Sequence, residues 1–351
     1  MMSALPPVGR RNLPPARPPF EIKWHCDLGD MTVEQAPVAH DDVIAARSGG
    51  TVGAVRHNNG ELLWTRRGTD DDRSPLVGTQ RGVIVVTTGG QESAQIAALD
   101  WVDGREIWRS TAPGFPGECA ASSDGHDLQL LTYTDSSTLL HDFDLASGEL
   151  RWSVEVPPTS RDLLVNDGYT LLSGRDLINE DRGLYRFTHG SGEIAKLLSN
   201  DVWSLHPGEV VDVVSVSDFR APENAFILAI NHDSGEPSWR RPATQELVDV
   251  DRSEVVCVEE SDGESVVVLR EAASGDEVWR AGGRRLEAGG VFFTGDTIGV
   301  VDTADIWFND RITGEDLGGV EFESISSGVL VVTTAGVVIS ADNGLTCLTP
   351  T

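Results

Sequence analysis

Residues 98–108 read ALDWVDGREIW: an apolar lead-in, an aspartate, a polar bend around Gly104, and a strand-like run ending in Trp108. The bend recurs as HNNGELLW at 57–64, LASGELRW at 145–152, THGSGEIA at 188–195 and HDSGEPSW at 232–239. It continues as AASGDEVW at 272–279, RITGEDLG at 311–318 and SADNGLTC at 340–347. The turn glycines are Gly60, Gly104, Gly148, Gly192, Gly235, Gly275, Gly314 and Gly344, spaced 44, 44, 44, 43, 40, 39 and 30 residues apart. That regularity marks an internal repeat. Short runs rich in Val and Ile flank each bend, such as GVIVVTT at 82–88 and ELLWTRR at 61–67, and they read as antiparallel strands. A period of about 40 residues with three or four strands is the size of one propeller blade. The expected fold is therefore all-β, an eight-bladed propeller.

Each recurring residue has a physical job. A tight hairpin needs positive φ, which glycine alone adopts without steric cost. Four residues earlier stands a short polar side chain in Asp100, Asp144, Asn231, Asp310 and Ser340, with Glu271 a longer variant. Such groups accept turn N–H bonds, so Asp100 and Asp144 read as turn caps before any catalytic role. Tryptophan follows the glycine by four residues in Trp64, Trp108, Trp152, Trp239 and Trp279. Its ring is expected to dock on the neighbouring blade with the indole N–H on a backbone carbonyl, because one blade cannot bury its apolar faces alone. Lys196, Gly318 and Leu348 hold the same position in three units, where weaker junctions are expected.

The run FEIKWHCDL at 20–28 resembles the strand after the bend without the bend itself, and places Trp24 in the docking position. An N-terminal strand of this kind is expected to join the last, shortest unit and close the ring, removing exposed sheet edges. The terminal LTCLTPT competes with it for the outermost place. Cys26 and Cys347 both fall in this closing blade; a disulfide between them is expected on export, and buried thiols in a reducing compartment. Residues 1–19, rich in Pro and Arg and without an apolar run, read as a flexible tail ahead of one propeller domain over 20–351.

Composition narrows the partners. With 56 acidic residues against 27 basic ones, only Lys23 and Lys196 among the latter being lysine, the formal charge is −29. Nucleic acid and anionic membrane repel such a surface. The same acidity suits a high-salt environment, where screening reduces self-repulsion. No apolar run reaches the roughly 18 residues of a transmembrane helix. Without a visible signal peptide or lipid-attachment cysteine the default expectation is a cytoplasmic monomer, export remaining open if the start is misplaced.

The best repeat matches A-x-D-x-x-x-G-x-x-x-W at Ala98, Asp100, Gly104 and Trp108; the next, HDFDLASGELRW, matches at Asp144, Gly148 and Trp152 but carries Asp142 at the alanine position. On these residues the chain resembles the eight-bladed propellers of the pyrroloquinoline-quinone-like (PQQ-like) repeat family, whose tryptophan-docking motif this is. The resemblance spans about residues 20 to 351 and implies blade stacking, not chemistry. It implies two alternatives for function. One branch holds scaffold propellers, including the lipoprotein of an outer-membrane β-barrel assembly machine, similar in length and blade count. The other holds dehydrogenases of alcohols and sugars that use PQQ with calcium over a tryptophan platform, many with a disulfide between adjacent cysteines. Here Cys26, Cys119, Cys257 and Cys347 are never adjacent.

Motifs for chemistry are sparse. The histidines, His25, His40, His57, His126, His141, His189, His206 and His232, show no metal-binding spacing, and His57, His189 and His232 sit in the recurring bend. Asp70–Asp72 and the stretch from Glu259 to Glu264 read as solvated charge. Trp101, Trp203, Trp307 and Phe292-Phe293 are candidates for a binding face or for core. The expected function is a noncatalytic interaction scaffold with a protein partner; the alternative is a PQQ- and calcium-dependent oxidoreductase. No catalytic, cofactor or metal residue is assigned.

Overall fold

Each repeat unit becomes one antiparallel sheet of four strands. The computed structural model describes residues 20–27, 37–48, 50–67, 75–89, 92–122, 124–157, 160–175, 182–217, 225–243, 248–261, 264–284, 290–302, 305–322, 325–333, 336–341 and 344–350. The segment 1–19 and Asp70–Asp72 lie outside them. Blades 1 to 7 comprise residues 38–67, 76–113, 115–156, 160–198, 201–242, 248–284 and 290–321, with strands in chain order from the axis outwards. Blade 8 combines residues 325–350 with Phe20–Asp27, which pairs antiparallel with Gly344–Pro350 and is its outermost strand. Inner strands touch in sequence around a circle, and Ile325–Thr333 touches both Gly290–Thr294 and Val38–His40, so the ring is closed. The protein is an eight-bladed β-propeller.

The core sits between sheets, not at the axis. Ile84, Val86 and Ile96 of blade 2 pack on Leu128, Leu130 and Phe143 of blade 3, and Ile44, Ala46 and Val55 of blade 1 pack on Trp24, Val338 and Leu345 of blade 8. Middle strands face a neighbour on both sides and are apolar almost throughout, as in Gly82–Gly89. Outer strands alternate, as in Leu150–Val156, because solvent meets one of their faces. Burying one Ile or Leu contributes roughly 1.5–3 kcal/mol, so each seam rests on several such side chains.

Seven of the eight turn glycines lie between third and fourth strands with φ between 65° and 73°. Gly344 is different: it opens the third strand of blade 8, so its turn joins second and third strands, which explains the short last spacing. Leu348 is accordingly a core residue of that third strand, not a docking position.

Candidate functional site

Blade seams and the channel mouth hold the residues of interest. At five seams the outer-strand indole lies over the next blade's turn glycine and donates to the carbonyl three residues before it. Trp24 Nε1 reaches His57 O at 2.7 Å, Trp64 reaches Trp101 O at 2.9 Å, and Trp108 reaches Leu145 O at 3.0 Å. Trp239 reaches Ala272 O and Trp279 reaches Arg311 O, both at 2.7 Å. A Cβ at Gly104 would lie 2.6 Å from the Trp64 ring, so glycine serves here both the turn and the close approach. The cross-strand partners of Trp64, Trp108, Trp239 and Trp24 are small, namely Ala54, Ala98, Ala229 and Cys347, which leaves room for the indole. Asp100 Oδ1 accepts from the N–H groups of Val102 and Asp103 at 2.8 and 3.2 Å, and Asp144 Oδ1 from those of Ala146 and Ser147 at 3.0 and 2.9 Å.

Trp152 departs from this pattern. Its cross-strand partner is Asp142, and its ring leans on Phe187 and His189 with centroids 5.4 and 6.5 Å away, while nothing lies within 4 Å of a Cβ placed at Gly192. A buried polar cluster occupies this seam. Thr170 Oγ1 donates to Gln129 Oε1 at 2.6 Å and meets His189 Nε2 at 2.8 Å, and Gln129 Nε2 donates to Asp142 Oδ1 at 3.4 Å. Burial above all, and then the nearby Asp127, push the Asp142 carboxyl up to about 6.

The next seam, where Lys196 replaces tryptophan, is held by other groups. Arg186 donates to Ser234 O at 3.1 Å and pairs with Glu236. Beside it, fully buried Asp212 of blade 5 accepts at Oδ2 from Tyr169 OH and Asn166 Nδ2 of blade 4, each at 2.6 Å. Its Oδ1 lies 3.7 Å from His232 Nδ1. Burial and then the Asp212 hydrogen bond push the Tyr169 phenol up, so it stays a donor.

Above this group the inner strands of blades 3 to 6 end at one mouth of the channel and enclose a cavity of about 670 Å³. Its walls are apolar at Ala120, Leu164, Leu205 and Val250, with Asn166 and His232 as polar contributions from the Asp212 hub. Asp251 also lines it and is paired with Arg311 at 2.7 Å. Among the described lining residues the groups that can hydrogen-bond or titrate are Asn166, Glu209, His232, Asp251 and Arg252, and none carries a hydroxyl or thiol. Among the described residues no group of three or more His, Cys, Asp or Glu side chains is placed to hold a metal.

Other sequence candidates find their places. Trp101 and Trp307 are buried core, with Trp101 Nε1 on Thr79 O at 2.8 Å; Phe292 and Phe293 are buried as well, and the Trp203 side chain lies outside the described residues. Glu259 corrects the solvated-charge reading: it is buried, bonded to Arg270 and, at 2.8 Å, to Arg280. Arginine from the neighbouring strand makes that burial tolerable. On the paired strands of blade 8, Cys26 stands opposite Leu345 and Cys347 opposite Trp24. Asp212, Tyr169, Asn166 and Arg186 were not singled out from the sequence. One signal was legible: Asp212 interrupts the apolar run VVDVVSV at 210–216.

A family profile described as outer membrane protein assembly factor BamB matches residues 48–118 and 92–222. No curated protein matches the chain. Among solved structures, BamB from Moraxella catarrhalis superposes with a TM-score of 0.61 at 13% identity, covering 95% of this chain and 100% of that one. The computationally designed Ika8 protein gives 0.67 at 14%, covering 94% and 99%. Quinohemoprotein alcohol dehydrogenase from Comamonas testosteroni gives 0.61 at 12%, covering 93% of this chain and 73% of that one. At such identities the likeness is one of fold.

Proposed function

Since the chain is a propeller of the PQQ-like repeat family, we propose that it is a noncatalytic scaffold that binds a protein partner along its rim. One observation carries this reading. Consecutive blades 8, 1, 2, 3 and 4 each leave an aliphatic side chain exposed on the outermost strand: Ile22, Leu62, Ile107, Leu150 and Ile194. Outer strands also present unpaired backbone edges, so a partner would find apolar contacts and hydrogen-bonding groups together. The matching profile's description as an assembly factor supports an interaction role. The acidic surface supports a working environment of high salt and partners that are not nucleic acid.

The quinone alternative gains no support from the cavity. A calcium-bound quinone needs a flat aromatic platform beside a set of carboxylates, whereas the described lining has no Trp, Tyr or Phe and ties Asp251 to Arg311. The described residues of this cavity do not fit the group. The test has two arms. Partner proteins cross-linked to the native chain should be lost when Leu62, Ile107 and Leu150 are together changed to serine, with unfolding unchanged. Stoichiometric uptake of PQQ with calcium, accompanied by dye-linked oxidation of an alcohol or sugar, would overturn the scaffold reading.

A further inference from the structure

The cleft between blades 1 and 2, toward the turns that join second to third strands, gathers positive charge in a strongly acidic chain. Four guanidinium groups, those of Arg47, Arg66, Arg67 and Arg109, line a groove of about 280 Å³ whose walls include Val52 and Val85. They come from different strands: Arg47 from Val43–Ser48, Arg66 and Arg67 from Leu62–Arg67, and Arg109 from Glu106–Pro113 of the next blade. Arg47 is only 2% exposed, and its Nη1 donates to Val86 O across the seam at 2.9 Å, which fixes the guanidinium in place.

Several arginines elsewhere are matched to carboxylate. Arg56 pairs with Asp42 at 2.9 Å, Arg151 with Asp144 at 2.6 Å, and Arg311 with Asp251 at 2.7 Å and Glu254 at 2.6 Å. In the groove, Glu106 binds Arg109 at 2.6 Å, and Gln95 Oε1 accepts from the same guanidinium at 3.1 Å. Among the described residues no ion pair within 4.0 Å joins a carboxylate to Arg66 or Arg67, and Glu106 acts on Arg66 only at longer range. With acidic residues outnumbering basic ones two to one, the gathering of four arginines around one groove is opposite to what composition alone would place there. Guanidinium forks match the geometry of carboxylate and phosphate oxygens, and apolar walls accept a hydrocarbon body.

We propose that this groove is a binding site for a small amphipathic oxyanion, a phosphate or carboxylate carried on an apolar body. Isothermal titration of the full chain at low ionic strength tests it, with phenyl phosphate, phenylacetate, inorganic phosphate and neutral phenol as probes. Saturable one-to-one binding of phenyl phosphate or phenylacetate is expected, tighter than inorganic phosphate, with no binding of phenol. The two aromatic acids tell phosphate from carboxylate. The exposed pair Arg66→Gln and Arg67→Gln should weaken binding by about tenfold or more at an unchanged unfolding midpoint; Arg67→Ala alone provides a second variant if the pair misfolds. Absence of saturable binding for every anion, phenol binding as well as the acids, or unchanged affinity in the variants would each overturn the assignment.

Discussion

At the scale of single residues, the two functions of a turn glycine separate cleanly. Gly104 and Gly192 have φ of 65° and 70°, but only at Gly104 does an indole press on the position a Cβ would take. Gly192→Ala is expected to lose about 1–2 kcal/mol from the left-handed backbone alone. Gly104→Ala should lose about 3 kcal/mol or more, because Trp64 must also move. Denaturant unfolding of the two variants gives the order directly. Asp142 offers a second test. Its carboxyl is raised to about 6 by burial, so the folded state holds its proton where the unfolded chain releases it. The stability it favours is present below about pH 4 and is lost as pH rises through about 6. Asp142→Asn, which keeps the neutral shape, is expected to remove that loss and exceed the parent at neutral pH by on the order of 1–3 kcal/mol, the gap shrinking toward pH 4. Equal pH profiles would show that the carboxyl titrates normally. The sequence pattern marks Asp142 as the departure from alanine in its repeat; that the departure coincides with a displaced indole and a buried Thr170–His189 contact is a matter of side-chain packing between blades.

At the scale of elements, the closing strand bears the most. Phe20–Asp27 supplies the outer strand of blade 8, and through Trp24 Nε1 to His57 O it also docks that blade on blade 1. Removing residues 1–27 would expose the Gly344–Pro350 edge and uncover the Ile44–Val338 cluster. The truncated chain is expected to unfold at a lower temperature and to elute from size exclusion as oligomers, since a long bare edge templates pairing. A monomer of parental stability would mean that closure adds little. The seams without a docked indole should open first. Hydrogen exchange at the amides of residues 189–192 is expected to be faster than at residues 101–104, where Trp64 covers the turn.

At the scale of the whole molecule, charge and architecture act together. A ring with a formal charge of −29 repels itself, and salt shortens the range of that repulsion to about 3 Å at 1 M. The thermal midpoint is expected to rise steadily from low to molar sodium chloride. A midpoint independent of salt would detach the acidic composition from any high-salt role. The rim aliphatics and the arginine groove lie on surfaces that only the assembled ring creates, one from equivalent outer strands and the other from two neighbouring blades. Binding at either is therefore expected to depend on an intact ring.

The repeat alone determined the blade count, the position of seven of the eight glycine turns and the presence of a closing N-terminal strand, because φ preference, strand alternation and repeat spacing are legible along the chain. The tertiary structure decided what depends on contacts between distant segments. It placed Phe20–Asp27 outside Gly344–Pro350, moved Gly344 to a different turn, buried Trp101 and Glu259, and built the Asp212 hub at a seam lacking tryptophan. Burial and partnership of a polar or aromatic side chain are set by whatever the neighbouring blade presents, and that neighbour lies about 40 residues away along the chain.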